Sequence, residues 1–379
     1  MDLKKEFPFT AHSINCNNAG ICPPPLRASE EAIRCSRRFT EAGFPALITE
    51  FPQRDQTVRK KLARLLGSSE ERFAITHNTA EGLNIIAQGY PFQPGDRILT
   101  ADKEYPANVY PWLNLEYKGV TLDFVEEEPD GSLPAEKIQD YIRPETVMLT
   151  ISFVEWCTGF RNNLKLLAEI CREKGIHLIV DGAQGVGALQ LNVEEADIDA
   201  LACPAWKWLW GPLGLGFLYM KPSFMNKIRQ LFVGAEGVAG YDRLLDYKLI
   251  PRDGMLRFEY ATKNYADIVT FDKSLELTLE IGMAAVEKRV LSVAGAFQEA
   301  VRSAGGTIFG DYPGENRSGI FSCTFPATDP GKLRKELARR NVLANVRDNR
   351  LRIAPHAYLD REDAIRFAEK IKGALKASS

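Results

Sequence analysis

Apolar positions along the chain fall into short runs separated by segments of helical period from about residue 70 onward. The runs "RFAIT", "RILTA", "VTLDFV", "VMLTIS", "IHLIVDGAQ", "IDALACP" and "GLGFLYM" read as strands. Between them a helix is predicted from Thr79 to about Gln88. Another, "NNLKLLAEICREKG", stops at Gly175, where the left-handed turn of a helix end suits glycine. Asp130-Gly131 marks a turn. Apolar strands alternating with helices of this length predict an α/β fold: a mostly parallel sheet covered by helices on both faces. Ligands of such sheets bind beyond the carboxyl ends of the strands, so residues there carry the interest.

After about residue 260 the pattern changes. A long amphipathic stretch from about Tyr265 to Ala304 reads as one or more helices. The strand "GIFSCTF", the helix "GKLRKELARRN", a strand pair around "NVRDNRLRIAP" and a last helix from Arg361 follow. This predicts a smaller α+β domain made of residues 1–24 and 261–379, beside a large domain of residues 25–260. The sequence leaves open whether the N-terminus packs there.

Composition narrows the function classes. The chain of 379 residues is 45% hydrophobic and 26% charged, the balance of a folded globular protein. A formal net charge of -2 without long basic runs argues against a nucleic-acid or membrane-surface role. No apolar stretch follows Lys4 and Lys5 as it would in a signal peptide. The apolar region around 200–220 is broken by Pro204, Lys207 and Pro212, short of the about 20 residues that span a bilayer. A soluble, cytoplasmic protein is expected. Seven cysteines (16, 22, 35, 157, 171, 203 and 323) form no Cys-x-x-Cys pair, and the histidines at 12, 77, 177 and 356 do not cluster, so no metal or disulfide framework is expected.

Three features sit where the strands end. Asp181 closes "HLIV", placing a carboxylate at the crevice; by itself it is as well explained as a loop aspartate bonding backbone amides. The glycines 182, 185 and 187 run G-x-x-G-x-G, which departs from the dinucleotide fingerprint. In "THNTAEG", Asn78 or Thr79 can cap a helix with Glu81 as the far member of a capping box, and the same helix start can hold a phosphate. Lys207 lies in "ACPAWKWLWGPLGLG" among Trp206, Trp208 and Trp210. Its stem can lie between tryptophans with the head in water. Alternatively, an apolar site lowers the pKa of its amine and makes it a nucleophile. An extended backbone here would put the three tryptophans on one face and Lys207 on the other. Amine, carboxylate and phosphate cradle together suit pyridoxal 5'-phosphate, which needs a partner for its aldehyde, its ring nitrogen and its phosphate.

With "EYPANVYPW", "TGFRNNL", "VDGAQGVGALQLNV", "WKWLWGPLGLGFLY", "RFEYATKN" and "LRIAPH" in view, the chain resembles the class V aminotransferase family over nearly its whole length. The motifs are most similar to members of the isopenicillin N epimerase type. The resemblance implies pyridoxal-phosphate fold type I and a homodimer with shared active sites. It implies that Lys207 bonds the cofactor aldehyde as a Schiff base, that Asp181 pairs with the ring nitrogen and that Gln184 bonds the phenolic oxygen. Tyr105 would stack on the ring, and Thr79 and Ala80 would offer amides to the phosphate. Thr262 matches a threonine reaching the neighbouring subunit's phosphate. Arg352 matches the arginine that grips the substrate carboxylate, a role its fork suits. The usual Ser-x-His-Lys is replaced by "PAWK", so Pro204 and Trp206 stand where serine and histidine are normal, and Trp206 can pack on the ring or donate one N–H. Arg161 can approach the site or form a structural salt bridge.

The expected activity is aminotransferase-type chemistry at the Cα of an amino acid or a derivative of one, with epimerase or C–S, β- or γ-eliminating lyase as the alternative. Because "RRNVLANVRDNRLRIAPH" contains no cysteine, a persulfide-forming cysteine desulfurase is not expected. Outside this chemistry stand a nicotinamide oxidoreductase and a binding protein without turnover.

Overall fold

A computed structural model describes residues 2–43, 45–240 and 245–378. Its elements in chain order are β1 (Ile14–Asn15), α1 (Leu26–Ala42), α2 (Pro45–Leu66), β2 (Phe73–Thr76), α3 (Thr79–Gly89), β3 (Arg97–Ala101), α4 (Tyr110–Leu113), β4 (Thr121–Val125), α5 (Ala135–Tyr141), β5 (Thr146–Ser152) and α6 (Leu164–Lys174). They continue with β6 (His177–Asp181), β7 (Ala200–Pro204), β8 (Gly216–Met220), α7 (Pro222–Met225), α8 (Tyr265–Ile281), α9 (Met283–Ser303), β9 (Thr307–Phe309) and β10 (Phe321–Thr324). The last are α10 (Pro330–Arg339), β11 (Val342–Leu343), β12 (Asn345–Arg347), β13 (Arg350–Ile353) and α11 (Arg361–Ser378).

The central sheet has the order β2-β8-β7-β6-β5-β3-β4. Neighbours from β7 to β4 pair in parallel, while β8 runs antiparallel to both β7 and β2. Two reversals leave β2 parallel to β7, so both strands end on one edge. Apart from the half-exposed edge strand β4, the strands read as apolar runs because both faces are buried. Leu178 and Val180 enter one core and Ile179 the other; Leu201 and Cys203 face one side, Ala200 and Ala202 the opposite. Leu164, Leu167 and Cys171 of α6 pack on the first face, and Leu83 and Ile86 of α3 with Phe224 of α7 pack on the second.

The stretch from Tyr265 to Ala304 is two helices, split at Gly282, whose φ of +82° only glycine adopts readily. Helices α1 and α2, which no apolar run announced, lie against α8. The second sheet, β12-β13-β10-β9, is antiparallel throughout and is flanked by α9 and α10, on which α11 packs. The N-terminus joins this part of the molecule: β1 pairs in parallel with β11, and Asn17 bridges Ala354. Among the described residues, no helix is long and apolar enough to cross a membrane.

A candidate active site at the strand ends

Asp181 ends β6 level with Ser152 of β5 and Ala202 of β7. Its side chain is buried, and Oδ1 accepts the Ala183 N–H at 2.8 Å. Burial raises its pKa, opposed by the Lys207 charge and the Ala183 amide. A buried carboxylate held this way is short of positive charge, and a protonated ring nitrogen would supply it.

Lys207 follows β7 in a turn, not in extended backbone as the sequence suggested. Gly211 donates to the Ala205 carbonyl at 2.8 Å, and Ala205 donates to that of Leu215 at 2.9 Å, folding the segment back onto β8. Trp210 sits at φ +56°, unusual for a large side chain, with its carbonyl held by Ser274 Oγ at 2.9 Å. The tryptophans therefore do not share a face opposite Lys207. Trp208 and Trp210 are buried against His356 at ring distances of 5.0 and 4.8 Å, while Trp206 is half-buried and its carbonyl accepts from Cys22. The Lys207 amine instead lies 5.4 Å from the centre of the Tyr105 ring. Burial pulls its pKa down from 10.5 to about 8; the Asp181 charge opposes this and the Arg352 charge adds to it.

Arg352 comes from β13, whose register places it between Ser322 and Asn345. Leu351 and Ile353 point to the core while the guanidinium reaches the site. It is 2% exposed, donating Nη1–H to the Trp156 carbonyl at 2.8 Å and Nη2–H to Asn17 Oδ1 at 3.4 Å. Its Nε is buried without a partner. Burial, then the neighbouring Arg347 charge, pulls its pKa down to about 10. A buried cation with a spare donor is a receptor for an anion such as a carboxylate.

Tyr105, after β3, stands edge-on to Trp156 with ring centres 5.4 Å apart, and Trp156 donates its indole N–H to the Lys103 carbonyl at 2.7 Å. Gln184 is held on two sides: Nε2 donates to the Ala19 carbonyl at 2.9 Å, and Oε1 accepts the Trp208 indole N–H at 3.0 Å. One amide hydrogen is left for a ligand.

The cradle at Thr79 and Ala80 follows from the sheet. Thr76 and Pro204 both pair with Gly216, so the strand ends leading to α3 and to Lys207 lie side by side. A Cβ on Gly216 would sit 2.6 Å from the Cys203 carbonyl oxygen and 3.2 Å from Asn78 Cα, which is why this position carries none. Asn78 caps α3 by accepting the Glu81 N–H at 2.9 Å. Glu81 reaches back to the His77 amide, one residue short of the capping-box target. The Thr79 and Ala80 amides belong to the first turn, which has no acceptor inside the helix. The donor set, the buried carboxylate and the low-pKa amine fit pyridoxal phosphate.

Thr262 is not gathered with these groups. It is exposed, and its hydroxyl donates to Glu236 at 2.9 Å. Arg161 is tied to Glu287 at 2.8 Å, the structural alternative weighed for it. Glycines 182, 185 and 187 serve packing: a Cβ on Gly185 would meet Phe153 at 2.0 Å, and one on Gly187 the Trp208 carbonyl at 2.5 Å. Three residues at the site had gone unread, namely Asn17, Glu104 and Glu155. Glu104 precedes Tyr105 within a quoted motif, and its place just past an apolar run was a usable signal. Asn17 had none, because it arrives through the β1–β11 pairing.

The family model described as "Aminotransferase class-V" matches residues 38–348. A probable cysteine desulfurase of Methanothermobacter thermautotrophicus is 26% identical over 340 residues, covering 89% of this chain and 84% of that protein. A lysine-to-alanine mutant of C-DES with glycine covalently linked to the PLP cofactor superposes with a TM-score of 0.89 at 22% identity, over 97% of this chain and 98% of the other. The cystine C–S lyase C-DES in complex with its reaction product cysteine persulfide gives 0.88 at 21% identity, over 97% and 99%. At such identities the structures speak for the fold.

These relatives overturn the exclusion of persulfide chemistry made from the sequence. That exclusion rested on the absence of a cysteine ahead of Arg352. The segment is indeed a tight hairpin, β12–β13, turning at Asp348 and Asn349. The C–S lyase C-DES, which shares the fold, has cysteine persulfide as its reaction product, so one missing thiol is no ground for the exclusion. The two kinds of relative described above are named cysteine desulfurase and C–S lyase, whereas an uncharacterized aminotransferase of Schizosaccharomyces pombe is 27% identical over 325 residues, so the names support the family and not one reaction within it.

Proposed function

The chain belongs to the pyridoxal-phosphate-dependent class-V aminotransferase family, and on that premise we propose that it cleaves the C–S bond of a sulfur amino acid. The observation that carries the reading is the convergence of Lys207, Asp181 and Arg352 at the strand ends beside Tyr105. The names of the relatives supply the sulfur.

When bound, pyridoxal phosphate supplies an electron sink for the bond broken at Cα. Arg352 takes the substrate carboxylate on its free edge, fixing which bonds of Cα face Lys207. Lys207 would hold the cofactor aldehyde at rest, and its amine, once free, is the base that takes the Cα proton. The sulfur fragment leaves Cβ with the C–S electron pair, and Lys207 returns the proton to it. Hydrolysis of the remaining three-carbon fragment with water gives pyruvate and ammonia. Asp181 would hold negative charge at the ring nitrogen, Tyr105 would cover the ring, Gln184 would bond the phenolic oxygen and Trp206 would border the cofactor. Thr79 and Ala80 hold the phosphate by their amides.

The paired site of a homodimer completes the reading, with Thr262 reaching the phosphate of the second subunit. Leu245, Tyr247, Leu249 and Ile250, all exposed in the single chain, are the surface we assign to that contact. The same reading divides the chain into residues 25–260 around the cofactor and residues 1–24 with 261–379 around Arg352. Seven buried, unpaired cysteines suit a reducing compartment, in keeping with a cytoplasmic enzyme.

The test is an assay of cofactor-loaded protein with L-cystine and L-cysteine, following pyruvate, ammonia and released sulfide or persulfide. Sulfur release matched one-to-one by pyruvate, or by alanine for desulfurase-type turnover, supports the proposal. Amino-group exchange between amino and keto acids without sulfur release refutes it.

A further inference from the structure

Beneath Asp181 lies a second carboxyl that the reaction does not use. Glu104 follows β3 and is buried; its Oε1 accepts the Ser152 N–H at 2.5 Å, and its Oε2 lies 2.6 Å from Ser152 Oγ. Ser152 is the register partner of Asp181, so Glu104 is clamped to the residue that pairs with Asp181. The groups facing Glu104 come from every neighbouring element. Asp181 on β6 and Glu155 beyond β5 bring negative charge. Ser152 brings two hydrogen bonds and the Tyr105 N–H a third, to Oε2 at 3.3 Å. Glu155 is itself buried, with Oε1 on Asn162 Nδ2 at 2.8 Å and Oε2 unpartnered. The nearby cations act elsewhere: Lys207 on Asp181, and Lys103 on Glu127 at 3.6 Å.

Resting on the cofactor reading above, we propose that Glu104 is a positioning residue that carries a proton, so that one carboxylate rather than two supports the cofactor's ring nitrogen. A buried site with several carboxyls and one nearby ammonium cannot keep them all ionised. Asp181 has the cation; Glu104 has only neutral partners, and the Ser152 hydroxyl, which donates to Oε2 of the ionised form, can turn to accept from the neutral acid. Burial, then the charge of Asp181, raises its pKa to about 8, against the pull of Ser152 and Asn108. Loss of that proton would put a second negative charge behind the ring and strengthen the hold on the ring-nitrogen proton.

Infrared difference spectra of wild type and Glu104→Gln, with and without cofactor, test the proton directly. The wild type should show a protonated-carboxyl stretch that Glu104→Gln lacks and that fades as pH rises through about 8. The absorbance of the bound cofactor, titrated over the same range, should show a proton-linked step that disappears in Glu104→Gln. If Glu104→Gln does not fold, Ser152→Ala should shift the carboxyl band by removing one arm of the clamp. No Glu104-dependent band overturns the stored proton. A band without any change in the cofactor titration overturns the tuning role. A protein that binds no pyridoxal phosphate overturns the cofactor reading, while its infrared spectrum still decides the protonation of Glu104.

Discussion

The clearest quantitative consequence of the site concerns the Lys207 amine. An ordinary lysine has a pKa of 10.5, and burial brings this one to about 8. At pH 8 about half of the Lys207 side chains are therefore free base, against roughly one in 300 for an unshifted lysine. Only the free base attacks an aldehyde. Mixing cofactor-free enzyme with pyridoxal phosphate and following the gain in visible absorbance should give a rate that rises with pH and levels off above about 8. The sign of the second arm follows from the charges. Asp181 opposes the shift by favouring the ammonium, so Asp181→Asn should move the midpoint lower still. Lys207→Ala should give no covalent absorbance at any pH. A midpoint near that of free lysine, or an upward move in Asp181→Asn, would refute the buried-amine argument.

Other consequences can be checked with the same preparation. Arg352→Lys loses the planar fork in a buried position; with about 1.5–3 kcal/mol per charged hydrogen bond, KM for the amino acid should rise roughly 10- to 100-fold while the spectrum of the bound cofactor is kept. An unchanged KM would remove Arg352 from substrate binding. In Gly216→Ala the new Cβ meets rigid backbone at Cys203 and Asn78, so thermal unfolding should show a loss of about 1–3 kcal/mol together with weaker cofactor binding. A change in stability alone would detach that contact from the phosphate cradle. Leu249→Glu together with Tyr247→Glu should convert a dimer to a monomer in sedimentation and lower activity with it, since both side chains lie open on the single chain; a dimer that persists would place the contact elsewhere.

Much of this architecture is local and could be read directly. Apolar runs such as "HLIV" must be buried on both faces, and a carboxylate or lysine just past such a run must stand at the sheet edge where ligands bind. That argument located Asp181, Lys207 and the start of α3. It could not settle the turn around Lys207: three tryptophans at alternate positions suggest an extended face, but Trp210 takes a left-handed backbone whose carbonyl is held by Ser274, far along the chain. Nor could it rule out persulfide chemistry, because the absence of one thiol says nothing about where sulfur leaves.

What the sequence determined by itself were properties carried by neighbours along the chain: strand and helix identity, the residues at their ends, and the family motifs. The tertiary structure alone decided what meets across distance. Asn17 reaches Arg352 through the pairing of β1 with β11, Glu104 reaches Asp181 through Ser152, and the pKa of Lys207 depends on burial by residues from several elements. Hydrophobic period fixes which face of an element is buried, whereas electrostatic environment depends on groups that come together only when the sheets are assembled.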